Sequence, residues 1–157
     1  MLLIDAYNVL HATMPAVLAG LDEAGLCVAL KRSAYRLHRA VVVCDGRVKP
    51  LGPDASPVDG VDLVYSGSVR SADDVIIERI EGSDAPRRLI VVSTDRQIRA
   101  AARKRRCVSV TSDAFVARLA ETLDRRPPPP RDAKPQGRLS DDQVQRWLRH
   151  FGLEEGD

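Results

Sequence analysis

The first residues with evident chemical capacity are Asp5 and Asn8, in the segment LLIDAYNVLH at residues 2–11. An apolar run ends at Asp5, and the amide of Asn8 follows three residues later. Further carboxylates follow later apolar runs or open the next helix: Asp45, Asp73, Asp74 and Asp95. Open α/β sheets bind their ligands at the edge where the carboxyl ends of the parallel strands meet. The sequence therefore predicts that these five carboxylates form one acidic edge.

An acidic edge of this kind favours a bound cation. Each Asp taken alone is also explained as a helix cap or a turn residue. Taken together, crowded carboxylates raise one another's pKa, and a cation relieves their repulsion. Oxygen ligands without His or Cys select a hard ion, Mg²⁺ or Mn²⁺. Ions held in this way can activate water and stabilise a leaving oxygen, which is the chemistry of phosphodiester hydrolysis.

Polar and basic neighbours extend this prediction. Asn8 either holds a metal-bound water or a phosphate oxygen, or only caps the turn after the first strand. Ser93 and Thr94 either orient Asp95 or a phosphate, or close their strand as structural caps. The chain has 24 Lys and Arg and 22 Asp and Glu, a net charge of +2. This charge is too small to indicate a class of binding partner. Arg nevertheless binds phosphate oxygens in pairs, and the candidate phosphate contacts are Arg70, Arg96, Arg99, Arg103 and Lys104.

The elements that must position these residues alternate along the chain. Short apolar runs predict strands at 2–4, 40–44, 61–66, 88–93 and 107–110. Stretches of helical periodicity predict helices at 22–38, 71–81, 96–105 and 113–124. The strand runs are mostly continuous and β-branched, which is typical of parallel strands covered on both faces. We therefore expect a three-layer α/β/α sandwich with a central, mainly parallel five-stranded sheet.

The chain is predicted to have one domain and an appendage. The domain covers 1–124, with a loop at 46–60 that is rich in Pro and Gly. Residues 125–138 form a proline-rich linker, since proline suits neither sheet nor helix interiors. Residues 139–157 form a tail whose amphipathic helix, at 139–153, presents Trp147 and Phe151 on one face. That helix either docks on a partner or folds back on its own domain.

Composition excludes several other classes of protein. Three scattered cysteines, Cys27, Cys44 and Cys107, fit neither a disulfide framework nor a zinc site and are expected to be buried. The N-terminal apolar stretch runs into Asp5 and is expected to be a strand, not a signal peptide. No run is long enough for a membrane helix, and no glycine-rich phosphate loop occurs. We expect a cytoplasmic protein that does not bind membranes.

The segments LLIDAYNVLH, SADDVIIE and IVVSTDRQI resemble the NYN ribonuclease domain, specifically its YacP-like branch, a relative of PIN-domain nucleases. The resemblance covers about residues 1–124 and implies a PIN-like fold with an endoribonuclease site that uses Mg²⁺ or Mn²⁺. It implies that Asp5 is the first metal ligand with Asn8 as its companion, and that Asp73 and Asp95 complete the site. Asp74 is a second candidate at the helix start, and Asp45 occupies a place where some relatives carry another acid.

Two departures from the family pattern leave a second function open. Ala6 replaces a usual glycine, and Gln97 stands where many related nucleases have another acid. One ligand fewer would weaken metal binding and leaves room for a one-metal mechanism. The alternative function is a catalytically weak or inactive RNA-binding or scaffold module of the same fold. RNA is the expected partner, with a ribosome or another protein as a candidate partner of the 139–153 helix. Tyr7, next to the first strand, is expected to pack against the core, with stacking on a base as the alternative.

Overall fold

A computed structural model describes residues 1–47 and 58–123. The strands are β1 (Leu2–Asp5), β2 (Ala40–Cys44), β3 (Val61–Tyr65), β4 (Ile90–Val92) and β5 (Val108–Val110). The helices are α1 (Ala6–Leu10), α2 (Glu23–Lys31), α3 (Ala72–Glu81), α4 (Arg96–Lys104) and α5 (Ser112–Thr122), with short 3₁₀ turns at Ala16–Leu18 and Pro86–Arg88. The predicted linker at 125–138, the tail helix and most of the predicted 46–60 loop lie outside the described residues.

The five strands form one parallel sheet in the order β3-β2-β1-β4-β5. Among the described residues, each strand is bonded only to parallel neighbours. The prediction of a mainly parallel five-stranded sheet is therefore confirmed. The chain winds outward from β1 to β3 and then returns to the other side of β1 as β4. The order therefore reverses between β1 and β4, which is the place where such sheets form a ligand crevice.

Side chains from β1 enter two separate cores. Leu2 and Ile4 pack on one face of the sheet with residues of α1, α2 and α5. Leu3 packs on the opposite face with residues of α3 and α4. All four residues of β1 are buried, as expected for a strand covered on both sides. The predicted three-layer sandwich is confirmed, and the three cysteines are buried as expected.

The structure differs from the predictions most clearly at three elements. The helix predicted at 22–38 ends at Lys31, because the Ser33 hydroxyl donates to the Leu30 carbonyl and accepts from the Tyr35 amide, replacing helical bonds. The strand predicted at 88–93 begins at Ile90, after the 3₁₀ turn that Pro86 opens. Helix α1 was not predicted, because five residues are too short to show a period.

Candidate active site at the acidic edge

Asp5 lies at the centre of the acidic edge, at the end of β1, with only 1% of its surface exposed. It caps α1, since its Oδ1 accepts from the Asn8 amide at 3.1 Å. Its Oδ2 accepts from the Asn8 side-chain amide at 2.5 Å and from the Ser93 hydroxyl at 2.9 Å. A carboxylate offers about four lone-pair positions, and three of them are used here. Asp5 is therefore held in one orientation, with about one position left for an ion or a water.

Ser93 connects the two strands at the point where the strand order reverses. Its buried hydroxyl donates to Asp5, at the end of β1, and accepts from the Asp95 backbone amide at 3.0 Å. The sequence left open whether Ser93 orients Asp95 or a phosphate, or closes its strand as a structural cap. Its hydrogen bonds join it to the Asp5 carboxylate and to the Asp95 backbone. Thr94 accepts from the Ser112 amide at 3.3 Å, which matches the structural-cap alternative.

Asp95 caps α4 with one of its two carboxylate oxygens. Its Oδ1 accepts from the Gln97 and Ile98 backbone amides at 2.7 and 3.0 Å. Its Oδ2 accepts no hydrogen bond from the described residues. The cap fixes the direction of the carboxylate and leaves one oxygen available. Gln97, which stands where relatives have an acid, contributes its backbone amide to this cap.

The start of α3 distinguishes Asp73 from Asp74. Ser71 is the N-cap and forms a reciprocal capping box with Asp74, with both hydrogen bonds at 3.1 Å. These bonds and the nearby Arg70 lower the pKa of the exposed Asp74 carboxyl. Asp45, at the end of β2, accepts from the Ala72 amide at 2.7 Å. The Asp73 carboxylate accepts no hydrogen bond from the described residues, so it is the least constrained acid of the edge.

The other acids of the edge act electrostatically on Asp73. Its pKa is raised, first by burial and then by the charges of Asp5, Asp95, Asp45 and Asp74. The direction of this shift is the one that the sequence predicts for crowded carboxylates. The charges of Asp5, Asp45, Asp74 and Asp95 therefore act on Asp73.

The donor set fits a hard divalent ion, since oxygen ligands prevail and no His or Cys is needed. Within residues 1–47 and 58–123, no three Asp, Glu, His or Cys side chains lie close enough to form a ready-made metal cage. Mg²⁺ usually keeps several waters and is held by one or two carboxylates together with substrate phosphates. Asp73 and Asp95 each have an oxygen available for such an ion.

Most of the candidate phosphate contacts lie on α4. Arg96, Arg99 and Arg103 are spaced by three and four residues, so they share a stripe that begins beside Asp95. Lys104 lies in the last turn of the same helix. The Arg99 Nε is buried without a hydrogen-bond partner among the described residues. Arg70 precedes Ser71, the N-cap of α3, and is paired with Glu78 at 2.7 Å.

Tyr7 lies at the surface, so the prediction that it packs against the core is wrong. Its side chain is 58% exposed, and its ring stacks on His11 with the ring centroids 4.0 Å apart. The core contacts of α1 come from Ala6 and Val9 instead. Ala6 is helical and is not among the described residues with positive φ, so replacing the family's usual glycine there causes no backbone strain. The exposure of Tyr7 had no signal in the sequence, because α1 itself was not predicted.

No helix in the described part of the chain is long and apolar enough to cross a membrane.

Comparisons with known proteins place this geometry in a family. The model of the YacP-like NYN domain matches residues 2–150, which extends beyond residue 124, where the sequence-based resemblance ended. A crystal structure of Rae1 (YacP) from Bacillus subtilis matches with a TM-score of 0.55 and 15% identity, covering 98% of this chain and 82% of that one. A point mutant of Rae1 matches with a TM-score of 0.53 and 16% identity, covering 98% and 84%. At these identities the two structures show a shared fold. A search of curated proteins gives no match. Because the family model spans nearly the whole sequence, the chain belongs to the YacP-like NYN domain family.

Proposed function

We propose that this protein is an endoribonuclease that requires Mg²⁺ or Mn²⁺ and hydrolyses RNA phosphodiester bonds at the acidic edge. The observation that carries the proposal is the placement of the acids: Asp5, Asp45 and Asp95 close or follow the neighbouring strands β1, β2 and β4, and Asp73 opens α3 beside Asp45. The charges of these neighbours also raise the pKa of Asp73. Such crowding is favourable only with a counter-charge, and a divalent ion beside a phosphate supplies one. Membership of the YacP-like NYN family agrees with a nuclease activity.

The side-chain oxygens that accept no hydrogen bond from the described residues suggest which residues contact the ion. Asp73 and the Oδ2 of Asp95 would hold the ion, with Asp45 as a further carboxylate of the same edge. Asp5 holds the Asn8 amide nitrogen, which leaves the neutral Asn8 carbonyl oxygen without a hydrogen bond from the described residues. That oxygen can contact the ion or its waters without adding charge. When bound, the ion supplies Lewis-acid polarisation of the scissile phosphate.

Cleavage of a circular single-stranded RNA tests this proposal directly, because only an endonuclease can open a circle. The reaction is run with Mn²⁺, with Mg²⁺ and with EDTA, using the full-length protein. We expect opening of the circle with either metal and none with EDTA. Retention of RNA without cleavage under every condition would reject the proposal and favour the alternative, a binding or scaffold module of the same fold.

The α4 stripe gives a second test, which concerns RNA binding alone. Arg103 lies far along α4 from Asp95, so Arg103→Ala should weaken binding without touching the acidic edge. Removing one phosphate contact lowers the slope of log affinity against log salt by about 0.7 for a single strand. Arg87→Ala is the matched control, because Arg87 precedes β4 and lies at the opposite edge of the sheet. Equal slopes of log affinity against log salt for Arg103→Ala and Arg87→Ala would show that α4 does not contact the RNA.

A further inference from the structure

Tyr7 is an exposed aromatic residue in the first turn of α1, between Asp5 and Asn8. It follows Asp5 by two positions and directly precedes Asn8. A helix rises about 1.5 Å per residue, so all three lie within one turn. The ring does not serve the core, since Ala6 and Val9 are the buried residues of α1.

His11 holds the Tyr7 ring from one side. The two rings stack with their centroids 4.0 Å apart and their planes inclined by 27°. The His11 Nδ1 lies 2.8 Å from the Tyr7 carbonyl oxygen. A carbonyl only accepts, so Nδ1 carries the hydrogen and donates it. The imidazole is thereby fixed at both its ring and its nitrogen, and the two rings form a preorganised pair.

The pair leaves aromatic surface open to solvent. One face of the Tyr7 ring is covered by His11, yet 58% of the residue is exposed. The opposite face and the hydroxyl edge must account for that exposure. A flat, rigid, exposed aromatic face is suited to stacking on a nucleobase, and it tolerates any base because each has a π-face.

We propose that Tyr7, backed by His11, stacks on an unpaired base next to the scissile phosphate, so the substrate is single-stranded at that point. This inference rests on the proposed function for its ligand, which is RNA. Bases inside a duplex are already stacked on each other and cannot stack on a side chain. We call the exposed face of the Tyr7 ring, backed by His11, the platform. It would select unpaired RNA, and it would also place the neighbouring phosphate at the acidic edge.

Fluorescence of 2-aminopurine tests the stack, because stacking quenches this base analogue. Single-stranded oligoribonucleotides that carry one 2-aminopurine at successive positions are bound to the full-length protein, in EDTA and in Ca²⁺. We expect quenching at one or two adjacent positions with the wild-type protein. Tyr7→Ala should abolish it and raise the dissociation constant about 5- to 150-fold, the range of one base–aromatic stack. Tyr7→Phe should retain both, since it keeps the ring.

Other outcomes would overturn the inference. Equal quenching with Tyr7→Ala, no quenching with the wild-type protein, or equal affinity for duplex and single strand would each reject the platform. A lower melting temperature for Tyr7→Ala with unchanged quenching would show that the ring pair only stabilises α1. Tyr7→Leu keeps an apolar side chain on α1 and guards against a folding defect.

The test also separates this inference from the proposed function. Quenching needs no bond cleavage. If the protein quenches the fluorescence but never opens a circular RNA, the stacking inference stands and the nuclease proposal is rejected. A protein that cleaves, but whose Tyr7→Ala variant cleaves equally well, keeps the nuclease proposal and loses the platform. In the expected case, Tyr7→Ala raises KM more than it lowers kcat.

Discussion

Asp5 and Asp73 carry the same group at the same edge of the sheet, in opposite settings. Asp5 is 1% exposed and accepts three hydrogen bonds from Asn8 and Ser93. Asp73 is partly exposed, accepts none from the described residues, and has its pKa raised by burial and by four neighbouring carboxylates. The difference indicates that Asp5 mainly orders the site, while Asp73 is ready to bind a ligand. Three substitutions and a pH series test this difference between Asp5 and Asp73.

The largest expected effect is on activity. Asp73→Asn should reduce RNA cleavage by about 10²–10³-fold, as expected when one preorganised electrostatic group is removed from a reacting centre. The protein should remain folded, because no hydrogen bond among the described residues depends on this carboxylate. Single-turnover cleavage rates measure the loss. Asp62→Asn, an exposed change on β3, is the control and should cleave normally. Wild-type rates for Asp73→Asn would end its proposed role.

Asp5→Asn should act on stability as well as activity. The new NH2 group replaces one carboxylate oxygen and cannot accept, so at least one of the three hydrogen bonds that Asp5 accepts is lost. Leaving a buried polar group unsatisfied costs about 1–3 kcal/mol. Urea unfolding should show that loss for Asp5→Asn and none for Asp62→Asn. If Asp5→Asn and Asp73→Asn unfold at the same urea concentration, the two carboxylates do not differ as described.

Ser93→Ala tests the connection between Asp5 and Asp95. The change removes a donor to the Asp5 carboxylate and the acceptor of the Asp95 amide. We expect a loss of about 1–2 kcal/mol in the free energy of unfolding. Ser112→Ala is a closely matched control, because Ser112 is equally buried and its hydroxyl has no hydrogen-bond partner among the described residues. Similar losses for the two variants would show that Ser93 contributes only packing.

The smallest expected effect is a pH dependence in metal-free buffer. Because the pKa of Asp73 is raised by folding, ionising it destabilises the native state. This contribution to the free energy of unfolding is fully favourable below the ordinary value of 3.8 and is lost as pH rises through the raised pKa. Asp73→Asn should therefore gain about 0.2–1 kcal/mol at neutral pH, the range of exposed charge interactions. This gain in the free energy of unfolding should vanish near pH 3. A gain that persists at pH 3 would show that it does not come from the charge of Asp73.

The sequence predicted the sheet well because its strands are apolar, β-branched and buried on both faces. It also assigned Asp5, Asp45 and Asp95 to the ends of strands, where the structure has them, since chain order alone fixes where parallel strands finish. It left Asp73 and Asp74 unresolved, although Ser71 with Asp74 three residues later is a capping-box signature. The bond between Ser93 and Asp5 joins residues 88 positions apart. Nothing local in the sequence could indicate it, because it depends on β1 and β4 becoming neighbours.

A shared ion at the acidic edge is tested most directly by measuring Mn²⁺ binding to the full-length protein, with electron paramagnetic resonance reporting the concentration of free ion. We predict saturable binding by the wild-type protein and by Asp62→Asn, and at least about tenfold weaker binding by Asp73→Asn and Asp95→Asn, the effect of about 1.4 kcal/mol. The same two variants should lose RNA cleavage. Mn²⁺ affinity that is unchanged in both would contradict a shared ion at the acidic edge.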